Sequence, residues 1–458
     1  MKIKSVNFNL VIVLIVVMAG FFYSNLWKDA PFVTPDTPDY IEVADDLRDG
    51  KIDEFHYRTP GYPILLLLTN SLEPTHKLFL TQLSLYLLSV FLLANFLHAE
   101  GVSRSFVLLF LLLSLIPQSI GNTEYMLTES FTIFSITAGM ATLFWFIRNN
   151  KWPLSLISGV ALAFSALVRP TYQLLVFALI GVLLVLGKYN LKIRKEISIW
   201  TGMVLLSWCS ILGSFSWYNY INFNYFGLSP VIGFNLSTKT SRVIERLPDE
   251  YKEIRELLIA ARNQALTATD GYHTGEEYIW DTESELQKLT GLNKVDLANY
   301  MLKLNLVLIK KAPLTYLQEV SRALSTYWLP NSTERTNFGS KLLQLAWAAI
   351  HFVIIAVFFC TTTLIFSLLV LTRIFQKELK DNILALAKPY NSLILPFFTS
   401  ITVIAYSMLI TVAFEVGNPR HRTPTDILIF FSTTIGLYFL SKKRNQTGHE
   451  LLRNHAGE

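Results

Sequence analysis

Ten stretches of the chain are apolar for long enough to predict membrane-crossing helices, at about 8–26, 77–97, 104–120, 124–147, 153–168, 170–187, 196–217, 342–372, 391–414 and 425–441. A helix needs about 20 apolar residues to cross the hydrocarbon core. The fifth and sixth stretches are short and share a break at Arg169-Pro170. The eighth is long enough to tilt strongly or to begin as an interfacial helix. The first follows Lys2 and Lys4 as a secretory signal would, but no small-x-small cleavage site follows; Tyr23-Ser24-Asn25-Leu26-Trp27 comes next. It therefore reads as an uncleaved span with an aromatic interfacial end. The expected fold is an all-α polytopic membrane protein of about ten transmembrane helices.

Two polar stretches interrupt this pattern. Residues 27–76 carry Asp36, Asp39, Glu42, Asp45 and Asp46, then His56, Tyr57 and Arg58. Residues 218–341 are polar and helical in pattern, and Asn299 to Leu329 is amphipathic, broken at Pro313. Such a helix is expected to lie flat in a membrane interface. The chain thus divides into an N-terminal transmembrane module over 1–217, an external and partly interfacial helical segment over 218–341, and C-terminal transmembrane helices with a tail over 342–458. It contains no internal repeat of the transporter kind and no low-complexity segment.

Composition agrees. Of 458 residues, 52% are hydrophobic and 16% charged, against about 25% charged in soluble domains, which excludes a soluble enzyme. The 32 Phe, 20 Tyr and 9 Trp exclude a disordered chain. The net charge of +5 belongs to the loops and gives no reason to expect a nucleic-acid partner. With the N-terminus inside, the cytoplasmic segments hold Lys2, Lys4, Arg104, Arg148, Lys151, Lys188, Lys192, Arg194, Lys195, Arg373, Lys377, Lys380, Lys388, Lys442, Lys443 and Arg444. The short outer loops hold only Arg169, Arg420 and Arg422. This asymmetry predicts both termini in the cytoplasm and the two long loops outside. Cys209 and Cys360 lie in apolar runs and read as buried small hydrophobes, with neither disulfide nor zinc spacing. Asn331-Ser332-Thr333 fits a glycosylation sequon, a pattern too short to carry weight alone.

Ionisable residues inside a membrane are expensive and usually functional. Apart from His351, a helix-helix contact by expectation, the middles of these spans hold almost none. The exceptions gather at one depth: Glu129 at the start of span four, Arg169, and Glu415, Arg420, Arg422 and Asp426 around the last outer loop. Asp36 and Asp39 belong to the same side. An ion-coupled transporter places carboxylates near the midplane instead, so this distribution favours binding or chemistry at the outer face. Asp45, Asp46 and Asp49 read as a solvated helix face.

Four motifs occur in order along the chain, the first of them in two parts. Thr34-Pro35-Asp36-Thr37-Pro38-Asp39-Tyr40 is followed by Arg58-Thr59-Pro60-Gly61-Tyr62-Pro63; then come Leu127-Thr128-Glu129-Ser130, a small-residue span from Gly159 ending in Leu167-Val168-Arg169-Pro170, and Gly417-Asn418-Pro419-Arg420-His421-Arg422-Thr423-Pro424. This series resembles GT-C glycosyltransferases, nearest to the bacterial family-39-like group related to protein mannosyltransferases and the aminoarabinose transferase of lipid A. The resemblance implies a multi-pass enzyme of a bacterial plasma (inner) membrane. Such enzymes take a sugar from a polyprenyl-phosphate carrier on the external or periplasmic side and pass it to a glycan, lipid or protein acceptor. An acidic residue of the first external loop, with a tyrosine four positions later, matches Asp36 and Tyr40. Many relatives have adjacent acids, whereas Thr37 follows Asp36 here, so the proton acceptor stays open between Asp36, the first choice, and Asp39.

The chemistry such an enzyme needs suits these residue types. A hydroxyl attacking an anomeric carbon must lose its proton to a positioned carboxylate, and the departing phosphate gathers negative charge that guanidinium groups hold bidentately. Asp36, Asp39 and Glu129 are the catalytic candidates. Arg58, Arg169, Arg420 and Arg422 are the candidates for donor phosphate, with Tyr40, Tyr62 and His421 in support. Direct displacement inverts the anomeric centre. Arginines can neutralise a lipid monophosphate, so no cofactor is required on this reading, although some distant GT-C enzymes use a divalent metal. No GxGxxG, GxxxxGK[ST] or DxD motif in a soluble-domain context marks a nucleotide-sugar site. The rival readings are a flippase or transporter for a lipid-linked sugar and an O-antigen polymerase or ligase; a flippase has no need of a carboxylate at position 36.

Overall fold

The computed structural model describes residues 7–51, 54–189, 193–267, 278–331, 340–374 and 391–455. Lys2, Lys4, Lys192, Lys377, Lys380, Lys388 and the Ser332-Thr333 half of the sequon lie outside the described residues. The described chain is helical throughout, and its one β-like contact is an isolated bridge between Phe32 and Tyr125.

The N-terminal part comprises α1 (Phe8–Leu26), α2 (Thr37–Asp49), α3 (Gly61–Thr69), α4 (His76–Ala99), α5 (Arg104–Leu115), α6 (Glu129–Asn149), α7 (Trp152–Val168), α8 (Leu175–Tyr189) and α9 (Arg194–Phe223). Next come α10 (Ile232–Thr240), α11 (Lys252–Thr267), α12 (Glu283–Thr290), α13 (Lys294–Lys311) and α14 (Pro313–Tyr327). The chain closes with α15 (Lys341–Ile374), α16 (Asn391–Phe414) and α17 (Pro419–His455).

Eight described helices are long and apolar enough to cross a membrane, or nine if the pair Arg104–Leu115 and Pro117–Glu124, bent by 61° at Ile116, forms one span. All ten expected stretches are helical, but α7 is a shorter apolar helix of 17 residues. It runs from Trp152-Pro153 to the extended residue Arg169, whose successor Pro170 starts a separate turn.

The helices pack by polar contacts between small residues as well as by apolar ones, as bundles without a hydrophobic driving force between helices do. Ser158 Oγ donates to Gly139 O at 2.7 Å and accepts from Trp200 Nε1 at 2.9 Å, tying α6, α7 and α9 together. The outward faces are apolar: Leu14, Val17, Met18 and Phe21 on α1, and Leu342, Leu345 and Phe352 on α15, are exposed. Cys209 and Cys360 belong to such surfaces. Both are exposed and free, which corrects their reading as buried, because an apolar run that faces lipid has the same composition as one that faces a core. His351 is buried in α15 beside Trp347.

Described residues of α10, α11, α12 and α13 and of the short helix Tyr278–Asp281 build a separate apolar core, with Phe234, Ile279, Leu286, Leu297 and Met301 fully or almost fully buried. The amphipathic stretch breaks at Pro313 as its sequence predicts, and α14 packs against α16 and α17 through Ala323, Tyr327 and Val412. In the first polar loop Asp45 and Asp49 are open to solvent, whereas Asp46 is paired with His56 at 2.9 Å.

Candidate functional site

The four sequence motifs converge at one end of the bundle because each sits at a helix terminus. Asp36 caps the start of α2 without a side-chain hydrogen bond to its own helix, leaving its carboxylate free for other partners. The segment before it is fixed by Phe32, whose N–H donates to Glu124 O and whose carbonyl accepts from Met126 N. Thr37 Oγ1 donates to Met126 O at 3.1 Å. This brings Asp36 beside Glu129, the first residue of α6. Arg169 follows the end of α7, and the turn after it is held by Tyr406 Oη, which donates to Thr171 O and accepts from Leu174 N. Arg420 and His421 lie in the first turn of α17, started by Pro419.

Two glycines make this convergence sterically feasible. A Cβ on Gly61 would stand 2.5 Å from the backbone of Leu167 and Val168, so only glycine lets the Arg58-Pro60 segment lie against the end of α7. A Cβ on Gly417 would lie 1.9 Å from Ala323 O, where the loop before α17 meets α14.

A chain of alternating charge results. Arg58 donates through Nε to Asp39 Oδ2 at 3.0 Å and through Nη2 to Asp36 Oδ1 at 2.7 Å. Arg420 donates through Nη2 to Asp36 Oδ2 at 2.8 Å and through Nε to Glu129 Oε1 at 2.7 Å. Arg169 Nη1 stands 3.5 Å from the same Glu129 oxygen. Burial works to raise the Asp36 pKa, but the charges and hydrogen bonds of Arg58 and Arg420 hold it well below the usual carboxylate range. Arg169 makes no side-chain hydrogen bond among the described residues, and its Nη1 is buried and unsatisfied. Arg169 is thus held to Glu129 by charge alone, at a cavity where its donors can also meet an anion.

These groups border a cavity of about 490 Å³ lined by Asp36, Tyr40, Arg58, Arg169, Arg420 and His421, among others. Tyr40 is edge-on to Tyr62, with the Arg58 guanidinium 5.1 Å from the Tyr40 ring centre. Glu415 also lines it: its Oε2 lies 2.8 Å from His421 Nδ1, an ionic-range contact without hydrogen-bond alignment. Burial pushes Glu415 up, but the His421 contact and the charges of Arg169 and Arg420 bring it down to about 2.

Several expected residues stand off the cavity. Asp39 is half-exposed and braces Arg58. Glu129 is almost wholly buried and orients Arg420 and Arg169 from behind. Tyr62 is fully buried and donates to Gln82, which itself donates to the carbonyls of Thr123 and Tyr125. Arg422 points elsewhere. It has no solvent exposure, pairs with Asp426 at 2.7 Å and donates to the carbonyls of Tyr327 and Leu329 at the end of α14. One residue after the next along a helix turns by about 200°, so Arg420 and Arg422 face opposite sides.

Residues 68–229 match the family described as dolichyl-phosphate-mannose-protein mannosyltransferase. The match runs from the end of α3 through α9 and includes Glu129 and Arg169, while Asp36, Arg58 and Arg420 lie outside it. No curated protein matches the chain. The matched segment is similar to that family, and the described residues around it form an all-helical, polytopic structure.

Sequence reasoning had no signal for the cavity's second wall. Tyr57, Asn235, Thr238 and Trp280 come together there with Ser229, although neither their spacing nor any short motif joins them. Among the described residues no group of three or more His, Cys, Asp or Glu side chains is placed to hold a metal ion.

Proposed function

We propose that this protein is an integral membrane glycosyltransferase that moves a sugar from a polyprenyl-phosphate carrier to an envelope acceptor, with inversion, at the cavity beside Asp36. The observation that carries this reading is the trio of arginines at a cavity in a polytopic chain, one of them, Arg169, held to Glu129 by charge without a hydrogen bond. Together with the mannosyltransferase-like segment, it supports a site for a membrane-borne phosphate.

On this reading Arg58, Arg169 and Arg420 receive the donor phosphate. The acceptor hydroxyl attacks the anomeric carbon, the bond from that carbon to the phosphate oxygen breaks, and Asp36 takes the hydroxyl proton. An Asp36 carboxylate clamped by two guanidinium groups is a weak base. Donor phosphate competes for those same groups, so its arrival loosens the clamp and raises the basicity of Asp36 where the hydroxyl is attacked. Catalysis then depends on loading the donor first. The basic residues of the opposite loops support an extracytoplasmic site with both termini inside.

Asp36→Asn tests the assignment, because Asn keeps the size but takes no proton. Turnover is expected to fall by about 10²–10⁴, with binding of polyprenyl phosphate retained because both arginines lose a competitor. Asp39→Asn is expected to keep most turnover, since Asp39 only braces Arg58. An active Asp36→Asn with a dead Asp39→Asn would move the base three residues along. Near-normal turnover in both would falsify the mechanism.

A further inference from the structure

The cavity has one wall that the phosphate chemistry leaves unused. Trp280 lines it in the short helix Tyr278–Asp281 and is only partly buried. Phe234, fully buried in the core built by α10 to α13, stacks on the indole with ring centres 5.0 Å apart and planes at 22°. Tyr57 stands edge-on to both rings, 6.1 Å from Trp280 and 5.5 Å from Phe234. Tyr57 is itself fixed, for its hydroxyl donates to Glu283 Oε1 at 2.9 Å and lies 3.0 Å from Lys294 O. The largest ring of the trio is therefore backed on one face and held at a polar cavity, next in sequence to the phosphate-facing Arg58 through Tyr57.

An aromatic ring whose purpose is core packing belongs inside the core, as Phe234 does. Trp280 instead shares the wall with Ser229, Asn235 and Thr238. Asn235 Nδ2 has only a long 3.4 Å contact to Glu415. Thr238 Oγ1 donates to Asn235 O at 2.7 Å and keeps its acceptor capacity. A flat apolar face bordered by amide and hydroxyl groups matches a pyranose ring, which has a C–H face and a rim of hydroxyls.

We propose that Trp280, backed by Phe234 and Tyr57, is the stacking platform for a pyranose ring at this cavity, carried either by the donor lipid or by the acceptor glycan. The proposal rests on the transferase reading and adds the residue that selects the sugar. Except for Ser229, this wall lies outside the segment that matches the mannosyltransferase family.

The test uses the full chain purified in detergent, as wild type, Trp280→Ala, Trp280→Leu and Trp280→Phe. Trp280→Leu keeps apolar contact with Phe234 and guards against misfolding of the Ala variant. Binding is measured for bare polyprenyl phosphate and for a panel of polyprenyl-phosphate pyranoses. Transfer from the best-bound donor is measured against increasing envelope-glycan extract. A platform for the donor sugar predicts that the preference for sugar-bearing over bare lipid shrinks about threefold to tenfold in the Ala and Leu variants. Bare-lipid affinity stays unchanged, and Phe restores part of the preference. A platform for the acceptor predicts unchanged donor binding and an acceptor KM raised by the same factor. Unchanged values in both assays, or an equal loss for bare and sugar-bearing lipid, overturn the proposal. A wild-type protein that binds none of the lipid phosphates overturns the transferase reading itself, and the platform falls with it.

Discussion

Arg420 donates to Asp36 at 2.8 Å across 384 residues of sequence, joining the last helix of the chain to its first polar loop. That contact closes the cavity's charged wall. Two guanidinium groups on one carboxylate stabilise its ionised form, and the carboxylate in turn holds the guanidinium groups where a phosphate would meet them. Taking such charges out of water is expensive and is offset only by good geometry and hydrogen bonding. The arrangement is better explained by binding than by stability.

Replacing Arg58 or Arg420 by Ala is expected to weaken donor binding by about 1.5–3 kcal/mol each, the usual range for a hydrogen bond to a charged group. Lys at either position should restore only part of the loss, since it lacks the planar fork that reaches two partners. Donor KM in the four variants checks this; values equal to wild type in all of them would place the phosphate elsewhere.

Glu129→Gln removes the charge behind Arg420 and Arg169 while keeping the shape. The free variant is expected to melt at lower temperature than wild type, because a buried carboxylate partner is lost. Bare polyprenyl phosphate, supplying the missing negative charge, should stabilise the variant more than the wild type. Thermal scans with and without the lipid decide between this positioning role and a purely structural one, for which the lipid-induced gain would be the same in both proteins.

Arg422→Ala should act on stability and not on the donor. Its loss leaves Asp426 and the carbonyls of Tyr327 and Leu329 without their partner, a change of about 3–5 kcal/mol when a buried charge pair is broken. The melting temperature is expected to drop well below that of Arg420→Ala, with donor KM near wild type in the protein that survives. A raised donor KM at unchanged stability would return Arg422 to the phosphate site.

The orientation of the bundle is open to labelling. Cys209 and Cys360 are exposed and must first be replaced by Ser. Cysteine introduced at Glu250, exposed on the segment between α9 and α15, should react with an impermeant thiol reagent in intact cells, and cysteine at Lys188 should not. The reverse pattern would invert the topology.

The helical, polytopic class was legible in the sequence because a bilayer demands long apolar runs whatever packs around them. The breaks at Pro313 and at Arg169-Pro170 were legible for a local reason, since proline removes a backbone donor, whereas the last helix starts at Pro419, ahead of the expected stretch 425–441. The sequence also marked Asp36, Asp39, Arg58, Glu129, Arg169, Arg420 and Arg422 as a set, because charge is rare in such a chain and the motifs of the resemblance carry these residues. Tertiary structure decided which of them touch. It alone turned Arg422 inward while Arg420 faces the cavity, braced Arg58 with Asp39, and exposed Cys209 and Cys360 to the outside. It alone brought Trp280 to the same wall as Tyr57, 223 residues earlier in the numbering. Hydropathy along a chain reports whether a position avoids water. Whether it meets lipid, a core or a cavity depends on which face its helix turns to its neighbours, and that is settled only when the helices pack.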